Sequence, residues 1–327
     1  MEKTVQQHPL KELLNGVTFV SIIMLAATYV PVLGHPCLCF IPLPIIFYRL
    51  KLGRRPMMIL MTLTMLIAIQ SYGGLSIETL IIAELLVMGS VMSEFIHKEL
   101  SADEIVLYTT GILFLAGLFG LLYYSQMISM GIGTILTDHI NQYVTMMINI
   151  YRELGMSDDQ LEIIAQSLNI IIFVLIPSIS IGFLMIVTWL NLLAARVAFQ
   201  HFQLSFPDFG SLNYWKAPEI LVWGLIGAGS IMLFPSEMLK ILGSNILIIL
   251  MVIYFFQGIA VVSFFFEKKN VSRSVRFILY SFIIIHQLSL VLIIGIGIFD
   301  VWADFRKQNP ENDHQSDSHS GFPYDWF

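Results

Sequence analysis

Apolar residues come in long blocks along this chain. Nine blocks stand at Leu13–Leu33, Leu38–Leu50, Met57–Ile69, Leu75–Phe95, Ile105–Tyr124, Ile170–Ala195, Ile220–Phe234, Ile246–Phe266 and Phe277–Phe299. A helix rises about 1.5 Å per residue, so a block of about 20 residues crosses about 30 Å of hydrocarbon. The pattern predicts an all-α, polytopic transmembrane bundle of about nine spans over residues 12–307. The second block is too short to cross comfortably. Pro42 and Pro44 inside it predict a bent or re-entrant helix.

The stretch from Ser157 to Lys216 divides the chain. It opens on Ser157-Asp-Asp-Gln160, a capping box in which the Ser oxygen serves the third helical N–H and Gln160 reaches back. The apolar run that follows is expected to kink at Pro177, and it ends at Asn191-Leu-Leu-Ala-Ala-Arg196 before a polar, aromatic linker, Gln200 to Lys216. Residues 12–198 then form a first group of spans and residues 217–300 a second. A second capping box, Ser101-Ala-Asp-Glu104, introduces the fifth span. Between spans five and six, Leu136, Ile140, Tyr143, Val144, Met147, Ile150 and Tyr151 recur at helical spacing. Asp138, Asn141, Gln142, Thr145, Asn149 and Arg152 take the opposite side. This predicts an interfacial amphipathic helix, too polar to span, on the outer surface or over a cavity mouth. Residues 308–327 read as a disordered acidic tail with an aromatic tip, Phe322-Pro-Tyr-Asp-Trp-Phe327.

Composition agrees with the blocks. Charged residues make up 12% of the chain and hydrophobic ones 57%, with a mean hydropathy of +0.79, against about 25% charged in a soluble domain. With the N-terminus inside, thirteen of the 17 Lys and Arg residues fall in inside segments, leaving Arg152, Lys240, Arg306 and Lys307 outside. That bias suits a multi-pass protein of the bacterial inner (cytoplasmic) membrane, surrounded by lipid bilayer. Arg306-Lys307 would sit better inside, which keeps an eight-span arrangement open. No basic block suggests nucleic acid.

Three polar residues inside the apolar blocks are candidate substrate ligands. Glu84 stands near the middle of the fourth span, where an ionised carboxylate is expensive. It is either a ligand or proton carrier, or a protonated acid bonded to a neighbouring helix. Gln257 and His286, at mid-depth of the eighth and ninth spans, could line one polar pocket with Glu84. The alternative is ordinary bonding between helices. His35-Pro-Cys37-Leu-Cys39 is a fragment of a metal-site pattern with no second cluster, so no metal is expected. No P-loop, H-E-x-x-H or G-x-S-x-G motif occurs. Neither an enzyme nor a cofactor is expected.

Asn191-Leu-Leu-Ala-Ala-Arg196, Trp215-Lys-Ala-Pro218, Gly243-Ser-Asn245, Tyr254-Phe-Phe-Gln-Gly-Ile-Ala-Val261 and Phe299-Asp-Val-Trp-Ala-Asp-Phe-Arg-Lys307 in this order resemble the YybS family of bacterial integral membrane proteins. Ile41-Pro-Leu-Pro44 and Tyr48-Arg-Leu-Lys-Leu-Gly53-Arg-Arg-Pro56 are remotely similar to the S components of energy-coupling-factor vitamin transporters. Those have a short Pro-bearing second helix before a Gly turn and a basic residue. The chain departs from them in about three extra spans and in lacking the A-x-x-x-A face, since Ala26 and Ala27 are adjacent. The resemblance implies binding and transport of a small organic molecule, with energy from a separate ATPase or coupling subunit. The other reading is a membrane scaffold or assembly factor, acting through the acidic loop at Glu94–Glu104, the linker and the aromatic tip.

Overall fold

The computed structural model describes residues 9–30 and 35–306, and every regular element among them is helical. The chain divides into two compact units, Met1–Asp208 and Phe209–Phe327. The predicted tail and its aromatic tip lie outside the described residues.

The first unit contains α1 (Pro9–Tyr29), α2 (His35–Leu38), α3 (Pro42–Leu52), α4 (Arg54–Ser71), α5 (Ile77–His97), α6 (Ala102–Met127), α7 (Ile132–Glu153) and α8 (Asp158–His201). Helix α5 is its centre and packs on α3, α4 and α6. Its start is fixed by a reciprocal cap. The Ser76 N–H donates to Thr79 Oγ1 at 2.7 Å and the Thr79 N–H to Ser76 Oγ at 3.3 Å. Ile82, Leu85, Leu86, Met88, Met92 and Ile96 form its buried face. Gly89 lets α3 lie directly against the α5 backbone. A Cβ there would stand 2.7 Å from both the Pro42 oxygen and Ile45 Cβ, the close approach that small residues permit between apolar helices.

Helix α3 begins at a bend that the sequence forces. Pro42 has no N–H, so the Cys39 carbonyl loses its donor three residues on. Asn191 of α8 supplies one, its Nδ2 donating to the Cys39 oxygen at 2.7 Å and to the Val187 oxygen at 2.8 Å. Gly53, with φ +91°, turns α3 into α4. There Glu94 accepts from Arg49 Nε at 2.7 Å and from Arg54 Nη2 at 2.8 Å, tying the ends of α3, α4 and α5 together. Both predicted capping boxes form. Glu104 accepts from the Ser101 N–H at 3.0 Å, and Gln160 from the Ser157 N–H at 3.3 Å. The amphipathic α7 packs on α8 through Ile135 and Val144, with Leu136, Ile140, Ile148 and Tyr151 half-buried. Tyr143, Met147 and Ile150, expected on the same stripe, stand exposed beside it.

The second unit contains a 3₁₀ turn (Leu212–Tyr214), α9 (Ile220–Met232), α10 (Glu237–Lys268), α11 (Arg273–Ile285) and α12 (Gln287–Ala303). Helices α10 and α12 meet backbone to backbone. A Cβ on Gly258 would fall 2.0 Å from the Ile293 oxygen, and one on Gly297 2.0 Å from the Tyr254 oxygen. At the end of α12, Asp300 is fully buried and pairs with buried Arg306, while its other oxygen accepts from the Phe305 N–H at 3.1 Å. Arg306 Nη1 donates at 2.8 Å to the carbonyls of both Asn213 and Trp215, and Asn213 Nδ2 donates to Glu267 in the last turn of α10.

The span count differs from the nine expected. Among the described residues four helical segments are long and apolar enough to cross a membrane: Ile77–His97, Ala102–Met127, Ile172–His201 and Glu237–Lys268. A fifth is counted if Arg273–Ile283 and Gln287–Ala303, bent by 102°, make one span. The shortfall is one of length or of polarity. Leu38–Leu50 yields only the 11-residue α3, and Ile220–Met232 has 13 residues, about 20 Å against the about 30 Å required. The apolar part of α1 is Leu14–Ala27. The block Met57–Ile69 belongs to α4, which opens on Arg54-Arg55 and carries Thr62, Thr64 and Gln70.

The last pair also departs from a single crossing. Arg276, in the first turn of α11, donates to the Phe266 carbonyl at 3.3 Å, and Arg306, beyond α12, meets Asn213, which bonds Glu267. The start of α11 and the exit of α12 therefore share the C-terminal end of α10. Topology reporters inserted after Asn270 and fused after Phe327 are expected to report the same side of the membrane; opposite readouts would mean a straight crossing. Gly297→Ala should lower the stability of the purified protein by about 1–3 kcal/mol, the usual cost of overpacking. Gly295→Ala, where nothing lies within 4 Å, should leave the thermal midpoint unchanged.

Candidate functional site

Glu84 lies on α5 in the first unit, one residue before the buried pair Leu85 and Leu86. The antiparallel run of α5 into α6 brings Gly117 opposite it. A Cβ on Gly117 would stand 2.9 Å from Glu84 Oε1, so the absence of a side chain there is what accommodates the carboxyl group. Glu84 is half-buried and makes no hydrogen bond or ion pair among the described residues. Glu94, on the same helix, is the opposite case, held by two arginines. A carboxyl group without a polar partner on an apolar span can accept a hydrogen bond, bind a cation or carry a proton.

Gln257 and His286 belong to the second unit. Gln257 is 1% exposed. Its carbonyl oxygen accepts from the Ala217 N–H at 3.2 Å, and its Nε2 donates to Asp300 Oδ2 at 2.9 Å. The residue therefore joins the segment entering α9 to the end of α12. His286 is exposed at the break between α11 and α12 and stacks on Phe282, ring centroids 5.1 Å apart. From Gln287 to Asp300 α12 rises about 20 Å, so Gln257 and His286 engage opposite ends of that helix.

The sequence reading missed Asp300 and Arg306. The last apolar block ends at Phe299, so block hydrophobicity does not mark Asp300 as buried. A signal was present in Asp300 and Arg306 flanking Trp302 at a helix end, but a carboxylate and a guanidinium six residues apart have many other arrangements. Arg49 and Arg54 stand far from Glu94 in the sequence, and only the fold brings the three together.

Near the bend, burial pushes the Cys39 thiol above its ordinary value, the setting of an unreactive thiol. Among the described residues no three His, Cys, Asp or Glu side chains converge to hold a metal ion.

No curated protein and no solved structure matches the chain. A family model described as a predicted membrane protein (DUF2232) matches residues 18–301 and so runs through both units. The apolar helices α5, α6, α8 and α10 accord with that description, and the chain belongs to the DUF2232 family of predicted membrane proteins.

Proposed function

We propose that this is a multi-pass, non-enzymatic protein of the bacterial cytoplasmic membrane that binds a small organic molecule between helices of its first unit. The observation that carries the reading is Glu84, a carboxyl group on an apolar span with no polar partner among the described residues, set against Gly117. Ionisable groups are costly at that depth and are ordinarily tied to one another or to backbone. Two buried amides are tied in this way: Gln257 serves Ala217 and Asp300, and Asn191 serves Cys39. Among the described residues nothing polar engages Glu84, which leaves its carboxyl group available to a bound molecule.

The substrate class follows from the acid. It would be a molecule that presents an amine or another hydrogen-bond donor to Glu84. Transport of that molecule inward would draw energy from a separate coupling subunit, as in the S components that α3, Gly53 and the following arginines resemble. The YybS resemblance belongs to the same reading.

The test is purification of the full chain from native membranes in mild detergent, with mass spectrometry of the small molecules and proteins that come with it. The wild-type protein is expected to carry a stoichiometric metabolite. Glu84→Ala should lower its occupancy about tenfold or more, the effect of losing one charged hydrogen bond. Gly117→Ala, which crowds the carboxyl group, should lower it in the same direction. Unchanged occupancy in both variants would remove the site. A stable protein partner with no small molecule would favour the scaffold reading instead.

A further inference from the structure

A concavity lies in the first unit, and none of its walls comes from α5. It is a cleft of about 490 Å³ between α1, α3 and the end of α8. Helix α3 follows α1 and the short α2 in the chain, yet its Tyr48 reaches Gly16 in the first half of α1. A Cβ on Gly16 would be 2.5 Å from that ring. Helices α1 and α3 therefore run antiparallel along the cleft, and this sorts its lining by polarity.

Asn15, the first contributor from α1, and Lys51, the last from α3, fall at the same end. Phe19, Leu43 and Pro44 fall at the other, with Phe47 between them and Phe202, the residue after α8, closing one side. The Lys51 ammonium stands over the Phe47 ring, 5.3 Å from its centre. From Leu43 to Lys51 the wall is about 12 Å long. Past the apolar end the surface of α1 stays apolar, with Phe19, Ile22 and Leu25 at three-residue spacing and each about half exposed. Past the cationic end come Gly53, Arg54 and Arg55, the basic run that by the positive-inside rule faces the cytoplasm.

A cleft with a cation and an amide donor at one mouth, aromatic walls and an apolar runway at the other end is shaped for an amphiphile with a negative head. We infer that it seats one anionic phospholipid. The phosphate lies against Lys51 and Asn15, and the first acyl carbons lie along Phe47, Leu43 and Pro44 before the chain continues over Phe19, Ile22 and Leu25. A cationic pocket between helices at the cytoplasmic interface is where anionic lipid headgroups bind. The inference is independent of Glu84.

The experiment is native mass spectrometry of the full chain released from nanodiscs of phosphatidylglycerol and phosphatidylcholine in equal parts. One phosphatidylglycerol should be retained in preference to phosphatidylcholine. Lys51→Glu and the milder Lys51→Gln should each cut that retention about fivefold or more, the weight of one basic residue at an anionic surface. Lys269→Glu, a basic residue of the second unit, should leave it unchanged. Equal retention of the two lipids, or full retention in both Lys51 variants, would overturn the proposal. So would a soluble acidic metabolite that stays bound in nanodiscs of phosphatidylcholine alone.

Discussion

Hydrocarbon offers no water to a backbone N–H or carbonyl, so every interruption of a helix in an apolar chain must be answered from within the protein. This constraint explains several of the polar residues found in and beside the apolar blocks. Pro42 frees the Cys39 carbonyl, and Asn191 bonds it. The chain is extended on entering α9, where the Ala217 N–H finds Gln257. Where α12 ends, Asp300 takes the Phe305 N–H and Arg306 takes two carbonyls of the segment around the 3₁₀ turn. Arg276 does the same for the carbonyls of Val271 and Phe266 at the end of α10.

Against that background Glu84 differs in kind. It serves no backbone group and has no ion-pair partner among the described residues, although Glu94, less than three turns further along α5, is bound by two arginines. A polar residue explained by local backbone needs no function, whereas an ionisable one on an apolar span that is not so explained is a candidate ligand. The cleft beside Lys51 and the buried cluster at Asp300 differ in their setting. In the cluster every charge is directed inward at chain atoms. In the cleft the Lys51 ammonium stands over the Phe47 ring.

Packing follows the same economy of side chains. With lipid tails as apolar as leucine, helices gain little from burying apolar area against one another and depend on close contact. Gly89 provides it for α3 on α5, and Gly258 with Gly297 for α10 on α12. Gly295, two residues from Gly297, faces open space, so position on the helix and not residue type sets the cost of substitution.

The sequence by itself determined the class and the local punctuation. Block hydrophobicity required helices in a membrane, and the chain supplied the Ser101 and Ser157 caps, the bend at Pro42 and the amphipathic α7, because each depends on residues within a few positions of one another. It overcounted spans because apolarity says where a chain can be buried and not how much of a block stays helical: Leu38–Leu50 and Ile220–Phe234 became short helices, and Phe277–Phe299 broke at His286. Tertiary structure decided the rest. Asn191 meets Cys39 across 152 residues, Arg49 meets Glu94 across 45, and Gln257 meets Asp300 across 43. No local pattern encodes such pairings. They arise when helices that must satisfy their own backbones are brought side by side, and only then does it become apparent which polar residue is used by the chain and which is left for something else.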